Sequence, residues 1–458
     1  MTSEQDSSFI GDVGRFYSGN TDLWTSIGSH FKTPETYLHE FQLRYPEVSI
    51  RFELKRRGLN FANNKARPVH RWTDYLEGFS DSFVYDTMDD FGLGKDSVIL
   101  DPFTGSGTVN VCSMMRGIES VGIEINPTIF RVLKAKTAWE ISPEEIRNTM
   151  KSLDFTKETS IDPPVFMKTD RQFRPDVLQI ILRIKEQVQQ IERPDLRIYF
   201  ELAFMTVLLP CSNLKRSPSI GYDKKKETAV HVRLPVELFE TKVGQIIEDI
   251  EQVQRIQGEL PPCHIYNEDS MEFAIPAEHT VDAVITSPPY LNSFDYVGNY
   301  KLEIGWMEDA QSTADFRELR DRMILCDNVS RKMIQEYEEQ PDLFDLDWVT
   351  YVTRATRPRM RERLGIRRKD YHILIRKYFE DIYRVLCRIH DSMRPGGKVA
   401  WVVGDSLILD VYIPTDLITM MVAEKAGFRP MGIEIDRVRR SGIRRSFVLR
   451  ESIVYFTR

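Results

Sequence analysis

The sequence predicts an α/β fold in which a mostly parallel sheet ends in an antiparallel hairpin and carries large, mainly helical insertions. Three observations predict it. The run SVILDPF is followed by the turn GSGT, the helical pattern VNVCSMMRG and the β-rich run VGIEIN, which together form a βαβ unit. The apolar runs CHIY, VDAVIT and KVAWVV each end in polar or turn residues, as further strands would. Finally, RPMGIEIDRVRR and SFVLRESIVYFTR close the chain as two antiparallel strands.

The helices follow from the spacing of apolar residues. DVLQIILRIKEQVQQI and VELFETKVGQIIEDIEQVQRI carry apolar residues three or four positions apart, which is the period of an amphipathic helix. YHILIRKYFEDIYRVLCRIHDSM predicts a long helix before the run KVAWVV, and PTDLITMMVAEKAGF predicts another that ends at Gly427. Between the first two helices, SNLKRSPSIGYDKKK predicts a polar loop.

The composition excludes several classes of protein. The chain has 458 residues, a formal net charge of −7 and 41% hydrophobic residues, so a mostly disordered chain is excluded. The N-terminus lacks the pattern of a secretory signal, and no stretch approaches the roughly 18 apolar residues that cross a bilayer. The five cysteines are scattered without a CxxC pair, which fits neither a structural zinc site nor a disulfide framework. We therefore expect a cytoplasmic protein without a bound metal.

The patterns divide the chain into four parts. Residues 1–60 form an N-terminal arm or small subdomain, and residues 61–127 and 263–458 carry the predicted sheet. Residues 128–262 form a helical insertion into that sheet domain. Residues 307–370 form a second insertion.

The turn DPFTGSGT, from Asp101 to Thr108, predicts a ligand site. Gly105 and Gly107 allow the backbone to turn sharply and to approach a ligand without a Cβ in the way, and the next helix offers free N–H groups. The turn is not G-x-G-x-x-G and no lysine follows it, which disfavours a phosphate. A zwitterionic or neutral ligand fits better.

Two carboxylates follow neighbouring strands of the same predicted sheet. Glu124 ends the second strand, where a carboxylate accepts hydrogen bonds from both hydroxyls of a ribose, and Asp269 follows CHIY, where it would accept from an adenine amine. The simpler alternative is a tight turn beside two solvated strand ends. The presence of Asp101, Glu124 and Asp269 at successive strand ends favours the ligand site.

The tetrapeptide from Ser287 to Tyr290 lies at the end of the strand VDAVIT. Its two prolines fix φ and remove two N–H donors, so this corner presents carbonyls only. Ser287 and the Pro288 carbonyl would accept the protons of an aromatic amine and localise its lone pair for attack on a methyl sulfonium. Tyr290 would stack on a base held outside the duplex. The alternative is a Pro-Pro loop with a packing tyrosine.

Together, DPFTGSGT, VGIEINP, NEDS and TSPPY resemble the S-adenosylmethionine-dependent DNA amino-methyltransferases, which modify cytosine N4 or adenine N6. PVHRWTDYLEGFS, from Pro68 to Ser80, is similar to the segment that covers the cofactor in this family. The resemblance spans roughly residues 65–135 and 260–458. It implies a Rossmann-like catalytic domain made of residues 61–127 and 263–458.

The resemblance also implies roles for individual residues. Phe103, Gly105 and Gly107 would surround the methionine part of the cofactor, while Glu124 would bind the ribose and Asp269 the adenine amine. The candidate cofactor-binding residues are Asp101, Phe103, Thr104, Gly105, Ser106, Gly107, Thr108, Glu124, Ile125, Asp269 and Ser270, and the candidate catalytic residues are Ser287, Pro288, Pro289 and Tyr290.

A serine at the first position of the tetrapeptide is similar to the cytosine-N4 members, so cytosine is favoured over adenine. The large insertion at residues 128–262 lies between the second and third motifs, which departs from the family layout. The part that reads DNA is therefore open, and residues 307–370 are the candidate recognition region.

Three basic regions suit a DNA substrate. Residues 354–377 hold ten Lys or Arg against two acids, and residues 437–450 hold six Arg and no acid. The third is the loop with Lys215, Arg216 and Lys224 to Lys226. A solvated helix face is the alternative for any one of them, and the acidic stretch 335–347 offers internal partners for the first.

The sequence therefore predicts a DNA methyltransferase that acts on the exocyclic amine of a flipped base in double-stranded DNA, with S-adenosylmethionine as cofactor. The family further implies a cognate restriction endonuclease as partner. Two alternatives stay open besides adenine N6. One is a tRNA guanine-N2 methyltransferase, which resembles this chain in its Gly-rich turn, and the other is a catalytically silent nucleic-acid-binding protein.

Overall fold

The computed structural model describes residues 32–52, 58–59, 61–75, 78–216, 219–223, 230–256, 258–276, 280–291, 295–324, 331–341, 343–362, 370–441 and 447–458. The chain divides into two compact units. Unit 1 contains Met1–Arg57, Ser287–Ser293 and Ile324–Arg458, and unit 2 contains Gly58–Thr286 and Phe294–Met323.

The secondary structure alternates between strands and helices along much of the chain. The described strands are β1 (Ser49–Phe52), β2 (Val98–Asp101), β3 (Glu119–Ile123), β4 (Leu214–Arg216), β5 (Ile220–Tyr222), β6 (Cys263–Tyr266), β7 (Val281–Thr286), β8 (Met393–Gly404), β9 (Ser406–Ile408), β10 (Val411–Ile413), β11 (Arg429–Ser441) and β12 (Phe447–Thr457). The described α-helices are α1 (Pro34–Arg44), α2 (Asp81–Phe91), α3 (Thr108–Arg116), α4 (Pro127–Thr137), α5 (Pro143–Ser152), α6 (Thr169–Gln172), α7 (Pro175–Gln189), α8 (Pro194–Cys211), α9 (Leu234–Ile256), α10 (Tyr296–Asn299), α11 (Lys301–Trp306), α12 (Thr313–Arg322), α13 (Arg331–Glu339), α14 (Asp347–Glu362), α15 (Tyr371–Ser392) and α16 (Thr415–Lys425). Two short 3₁₀ helices cover Phe61–Ala66 and His70–Trp72.

The sheet strands of unit 2 are parallel, in the order β7-β2-β3-β6. The predicted βαβ unit is formed by β2, α3 and β3, and α3 ends at Gly117 with a left-handed φ of 68°. Because the strands are parallel, their carboxyl ends lie at one edge of the sheet. Asp101 is the last residue of β2, and Glu124 comes directly after β3. The unit therefore presents the polar strand ends together.

The helical segment of unit 2 has its own apolar core. Helix α8 is buried on most of its surface and is accordingly apolar all round. Helices α7 and α9 pack on α8. Ile181 of α7, Tyr199 of α8 and Phe239 of α9 are all fully buried in this core. Trp72 belongs to the same core. The predicted polar loop at 212–226 is partly wrong, because β4 and β5 form a short antiparallel hairpin there.

Unit 1 carries strands in the order β1-β11-β12-β8. The closing strands β11 and β12 pair antiparallel, as predicted, and β12 also pairs antiparallel with β8. β1 pairs parallel with β11 through Ser49–Phe52, so part of the predicted N-terminal arm belongs to this sheet. Helix α16 packs on β8, β11 and β12. Apart from the two short hairpins β4-β5 and β9-β10, four of the six described strand pairs are parallel, and the predicted Rossmann-like α/β class is confirmed.

A second hairpin, formed by β9 and β10, also escaped the sequence analysis. Strands β9 and β10 follow β8 directly and are joined by Leu409 and Asp410, which have φ values of 53° and 62°. Two-residue hairpin turns with this left-handed geometry favour Asn-Gly or Asp-Gly, and Leu-Asp gives no such signal. None of the described helices combines the length and apolar character needed to cross a bilayer.

Candidate active site

Asp101 lies at the carboxyl end of β2 and is almost fully buried. Its Oδ1 accepts a hydrogen bond from the Thr286 hydroxyl at 2.6 Å and from the Phe103 N–H at 3.0 Å. Burial raises the pKa of Asp101 to about 7, although both hydrogen bonds act in the opposite direction. Asp101 therefore links the Gly-rich turn to the last residue of β7.

The Gly-rich turn needs its glycines for two separate reasons. Gly105 and Gly107 have φ values of 51° and 86°, a backbone region that other residues rarely adopt. Space is also limiting, since a Cβ on Gly105 would lie 2.5 Å from the Tyr75 hydroxyl and one on Gly107 would lie 2.7 Å from Leu133 Cδ1. The turn then begins α3 at Thr108, which is buried.

Glu124 follows β3 and is 8% exposed. Its Oε1 accepts a hydrogen bond from the Asn126 N–H at 2.7 Å. Burial raises the pKa of Glu124 to about 7; hydrogen bonds from the backbone of Asn126 and Gly105 lower it, and the nearby Asp101 raises it further. The candidate ribose-binding carboxylate thus lies beside the Gly-rich turn within unit 2.

The segment after β6 contacts the same turns. The Asn267 amide donates to the carbonyls of Glu124 and Ile125 at 2.7 and 3.2 Å. Asp269 accepts from the Met271 N–H at 2.8 Å, and the buried Ser270 hydroxyl donates to the Pro102 carbonyl. The candidate cofactor residues therefore form one hydrogen-bonded region of unit 2.

One observation fits this region to a polar ligand such as the S-adenosylmethionine that the sequence motifs imply. The Ser106 hydroxyl is buried and has no hydrogen-bond partner among the described residues. A polar ligand group beside the turn would satisfy this hydroxyl. Among the side chains that the structure describes, no group of three or more His, Cys, Asp or Glu is arranged to bind a metal.

Unit 1 holds the tetrapeptide, in which Pro288 is buried and the other three residues are half-buried. The Tyr290 hydroxyl donates to Glu451 Oε1 at 3.1 Å, and Arg437 pairs with the same carboxylate at 2.6 Å. The Tyr290 ring lies against Gly404, where a Cβ would come within 3.0 Å of two ring carbons. The ring is therefore fixed at its edge by Glu451 and supported by the end of β8.

A buried polar network lies next to this corner. The Ser406 hydroxyl donates to the Leu291 carbonyl at 2.6 Å. Arg450, which is fully buried, pairs with Asp405 at 3.0 Å and with Asp416 at 2.8 Å. Burial raises the pKa of Asp405, and Arg450 opposes the shift. The residues after β8 thus anchor the chain that follows the tetrapeptide.

The segment from Pro68 to Ser80 contributes one aromatic residue to the Gly-rich turn. Trp72 is fully buried and packs against Tyr199, and Phe79 packs against Phe83. Tyr75 instead contacts Gly105 and stacks on Tyr300 with the ring planes 21° apart. Burial lowers the pKa of His70 to about 3, so this histidine is neutral.

Several contacting residues were missed by the sequence analysis. Thr286 binds Asp101, Asn267 holds the turn after β3, and Glu451 binds Tyr290. Asn110, on α3, joins Thr104 to Ser120. The available signal was a polar side chain at a strand end or on a buried helix face. The partners of Thr286, Asn267 and Glu451 lie far away in sequence, so this signal did not identify the contacts.

The basic regions need correction. Arg216 is half-buried and pairs with Glu303 at 2.5 Å, and Arg450 is fully buried between two carboxylates, so both guanidinium groups already have partners within the protein. Arg376 and Lys377 pair with Glu380 and Asp381. Three further parts of these regions lie outside the described residues, namely residues 224–226, residues 442–446 and the side chains at 358–369.

A cavity of about 430 Å³ in unit 1 retains part of the first basic region. Arg354, Arg357 and Arg376 line it together with one carboxylate, Glu380. Arg354 and Arg357 are exposed and lie one turn apart on α14. The wall of this cavity therefore carries an excess of positive charge.

Sequence comparison relates the chain to a group of known proteins. The chain is 27% identical over 424 residues to the type II methyltransferase M.BsoBI of Geobacillus stearothermophilus, and the match covers 82% of each chain. The chain is a relative of the type II methyltransferases. The resemblance stated from the four sequence motifs is thereby confirmed.

Two further type II methyltransferases show the same relationship. M.AvaI of Nostoc sp. is 23% identical over 439 residues, with 89% of each chain covered. M.MvaI of Kocuria varians is 22% identical over 348 residues, with 71% of this chain and 74% of that protein covered.

The other comparisons are weaker. No protein-family model matches the chain. Among solved structures, TrmN from Thermus thermophilus has a TM-score of 0.28 at 9% identity and covers 88% of this chain and 53% of that one. The rRNA methyltransferase aviRa from Streptomyces viridochromogenes has a TM-score of 0.30 at 9% identity and covers 88% and 96%.

Proposed function

We propose that this protein is a site-specific DNA methyltransferase that transfers a methyl group from S-adenosylmethionine to the exocyclic amine of a flipped base, and that this base is cytosine, modified at N4. The observation that carries the proposal is the relationship to type II methyltransferases over more than four-fifths of the chain. The Gly-rich turn, Glu124 and the tetrapeptide supply the chemistry that the relationship requires.

Unit 2 would hold the cofactor. The glycine turn from Thr104 to Thr108 would accommodate the methionine part, and the Ser106 hydroxyl would hydrogen-bond to a polar group of the ligand. Glu124 would accept from the ribose hydroxyls, and Asp269 from the adenine amine. When bound, S-adenosylmethionine supplies an electrophilic methyl group on a sulfonium. The buried setting of Asp101 and Glu124 would keep water from competing for these contacts.

The tetrapeptide would activate the target amine. An aromatic amine is a weak nucleophile because its lone pair is delocalised into the ring. Ser287 and the Pro288 carbonyl would accept its N–H protons and draw the nitrogen towards a tetrahedral geometry. Tyr290, fixed at its hydroxyl by Glu451, would stack on the extruded base. With S-adenosylmethionine supplying the methyl group, Ser287 and the Pro288 carbonyl would hold the two N–H protons of the amine, and the methylated nitrogen would lose one of them to solvent.

Cytosine is favoured because the tetrapeptide begins with Ser287 rather than the Asp or Asn that is more frequent in adenine-N6 members. Adenine N6 is the second candidate, since Pro288, Pro289 and Tyr290 suit either amine. Both bases share the requirement for extrusion from the duplex.

The second insertion would contact the DNA backbone. Arg354 and Arg357 line the basic cavity of unit 1 and are exposed, and guanidinium groups bind phosphate oxygens in a bidentate manner. We place this enzyme in the prokaryotic cytoplasm, with double-stranded DNA as substrate and a cognate restriction endonuclease as its functional partner.

Tritium transfer from labelled S-adenosylmethionine to duplex DNA tests the activity, with tRNA as the competing substrate. Nucleoside mass spectrometry of the product is expected to show N4-methylcytosine; N6-methyladenine would support the second candidate. Incorporation into tRNA alone would contradict the proposal and support the guanine-N2 alternative.

A further pair of measurements addresses the catalytically silent alternative. Tyr290→Ala and Pro288→Ala should abolish methyl transfer while duplex binding, followed by fluorescence anisotropy, stays measurable. Unchanged transfer in both variants would overturn the assignment of the tetrapeptide. Wild-type protein that binds duplex DNA but transfers no methyl group would favour the silent binder.

A further inference from the structure

Asp249, in the helical segment of unit 2, binds the turn that precedes Tyr75. Asp249 is fully buried on α9. Its Oδ2 accepts from the Val69 N–H at 2.9 Å and from the Trp72 indole N–H at 2.8 Å. The Arg71 guanidinium donates from Nη2 to Oδ1 at 2.5 Å and from Nε to Oδ2 at 3.0 Å. One carboxylate therefore collects donors from three of four consecutive residues.

The turn that Asp249 binds is strained. Val69 has φ 65° and ψ −48°, and the His70 N–H donates to the Pro68 carbonyl at 2.7 Å, which is the geometry of a γ-turn with a positive central φ. A β-branched residue is a genuine outlier in this region and needs surrounding contacts to persist there. The N–H of the strained residue is the group that Asp249 accepts.

Two lysines hold the carbonyls of the same turn. Lys242, also on α9, donates to the Arg71 carbonyl at 3.0 Å. Lys136 of α4 donates to the His70 carbonyl at 3.3 Å. The turn is thus fixed through its amide, its side chains and its carbonyls by helices that lie far away in sequence.

The strained turn determines where Tyr75 can lie. Tyr75 follows Trp72 by three residues, a reach of roughly 10 Å for extended chain. Its hydroxyl fills the space beside Gly105, in the glycine turn that would bind the cofactor. Nearby Glu124 is one of the charges that the Tyr75 hydroxyl experiences. If the backbone at Val69 changed from its positive φ to a negative φ, the segment from Trp72 to Tyr75 would run in a different direction.

We propose that Asp249 is a positioning residue for cofactor binding: it holds the Val69 turn in its strained form and so fixes Tyr75 against the glycine turn. The inference rests on the proposed function, in which that turn binds S-adenosylmethionine. It assigns the helical segment 128–262 to the support of the cofactor site.

Asp249→Asn tests this role, because it keeps the shape of the side chain but replaces one acceptor oxygen with an amide NH₂ group. That group donates hydrogen bonds and cannot accept them. Calorimetry with S-adenosylhomocysteine should show affinity reduced at least tenfold, whereas duplex binding changes less than twofold. In steady-state assays KM for S-adenosylmethionine should rise with little change in kcat. The matched control is Glu248→Gln, whose side chain is 74% exposed and contacts Arg71 at 3.6 Å; it should bind like the wild type.

Val69→Gly provides the second variant, since glycine adopts a positive φ without strain. In the Val69→Gly background, Asp249→Asn should cost less than threefold in affinity, a rescue that a general packing role would not produce. If Asp249→Asn alone does not fold, the double variant still serves: folded protein that binds the ligand supports the proposal, and folded protein that does not bind overturns it.

The failures of the two proposals can be told apart. Wild-type protein that does not bind S-adenosylhomocysteine would overturn the proposed function. Wild-type protein that binds, together with an Asp249→Asn variant of equal affinity, would overturn only the role of Asp249.

Discussion

At the scale of single residues, the candidate cofactor site combines two buried carboxylates with a turn whose glycines adopt positive φ. Asp101 and Glu124 each have a pKa raised to about 7 by burial. Neutral forms are therefore favoured in the folded protein at pH values where exposed carboxylates are fully ionised. A ligand that donates hydrogen bonds to these groups would recover part of that cost, so binding should be sensitive to pH.

Cofactor affinity should rise with pH because of Glu124. With a pKa of about 7, the carboxylate that accepts the ribose hydroxyls is the minor form at pH 6 and the major form at pH 8. The affinity for S-adenosylhomocysteine is expected to increase by about tenfold across this interval. Isothermal titration calorimetry at several pH values in buffers of equal ionic strength measures the change.

Glu124→Gln is the control for that measurement. It removes the titrating group at Glu124, so binding should be weaker at pH 8 and should vary less between pH 6 and pH 8, with any remaining slope assigned to Asp101. A wild-type affinity that does not change, or an identical slope in the variant, would contradict the role of Glu124.

At the scale of elements, the glycine turn is limited by space as well as by φ. Gly105→Ala would place a Cβ 2.5 Å from the Tyr75 hydroxyl in a left-handed conformation. We expect it to reduce the free energy of unfolding by about 1–2 kcal/mol and to abolish measurable cofactor binding. Chemical denaturation and calorimetry give the two values.

The combination of Gly105→Ala with Tyr75→Ala separates the two causes. Removing the phenol relieves the clash and leaves only the φ strain, so part of the lost stability should return. If the loss of stability in the double variant, relative to the wild type, equalled the sum of the two single losses, Tyr75 and Gly105 would not be coupled and the predicted clash would be disproved.

Strands β8 and β12 are joined near the tetrapeptide by a buried ion-pair network. Arg450 is fully buried between Asp405 and Asp416. Arg450→Met leaves two buried carboxylates without their partner, and we expect a loss of about 3–5 kcal/mol. Thermal unfolding followed by circular dichroism measures it. Arg116→Met is the matched control, because its pair with Asp89 is exposed and should contribute less than about 1 kcal/mol.

The elements also show how far the sequence leads. The βαβ unit, the C-terminal hairpin and the polar ends of β2 and β3 were predicted, because apolar periodicity and glycine positions are local signals. The partners Tyr290 and Glu451 lie 161 residues apart, and Val69 and Asp249 lie 180 apart. Such contacts depend on how the sheet and helices pack, and no local pattern encodes them.

At the scale of the whole molecule, the proposed function requires an acidic chain to bind a polyanion. The net charge is −7, yet Arg354 and Arg357 are exposed on one cavity wall, while Arg216 and Arg450 are engaged in ion pairs. We therefore expect the local charge rather than the total to govern an encounter with DNA. A count of basic residues in the sequence does not separate the exposed arginines from the paired ones.

The salt dependence of duplex binding should report these two residues. For Arg354→Gln combined with Arg357→Gln, the slope of log K against log salt should fall in magnitude by about 2, or roughly 0.9 for each lost phosphate contact. Fluorescence anisotropy between about 50 and about 200 mM salt gives the slope. An unchanged slope would exclude these arginines from the DNA interface.

The short strand β1 has a further consequence. It pairs parallel with Gly432–Ile435 of β11 and so occupies hydrogen-bonding groups along the outer side of that thirteen-residue strand. Without β1, the backbone N–H and C=O groups of this part of β11 would be unpaired, and an unpaired edge strand can pair with another copy of the same chain. We therefore expect residues 49–52 to limit self-association, and we expect shortened forms that begin after residue 52 to aggregate through the uncovered edge of β11.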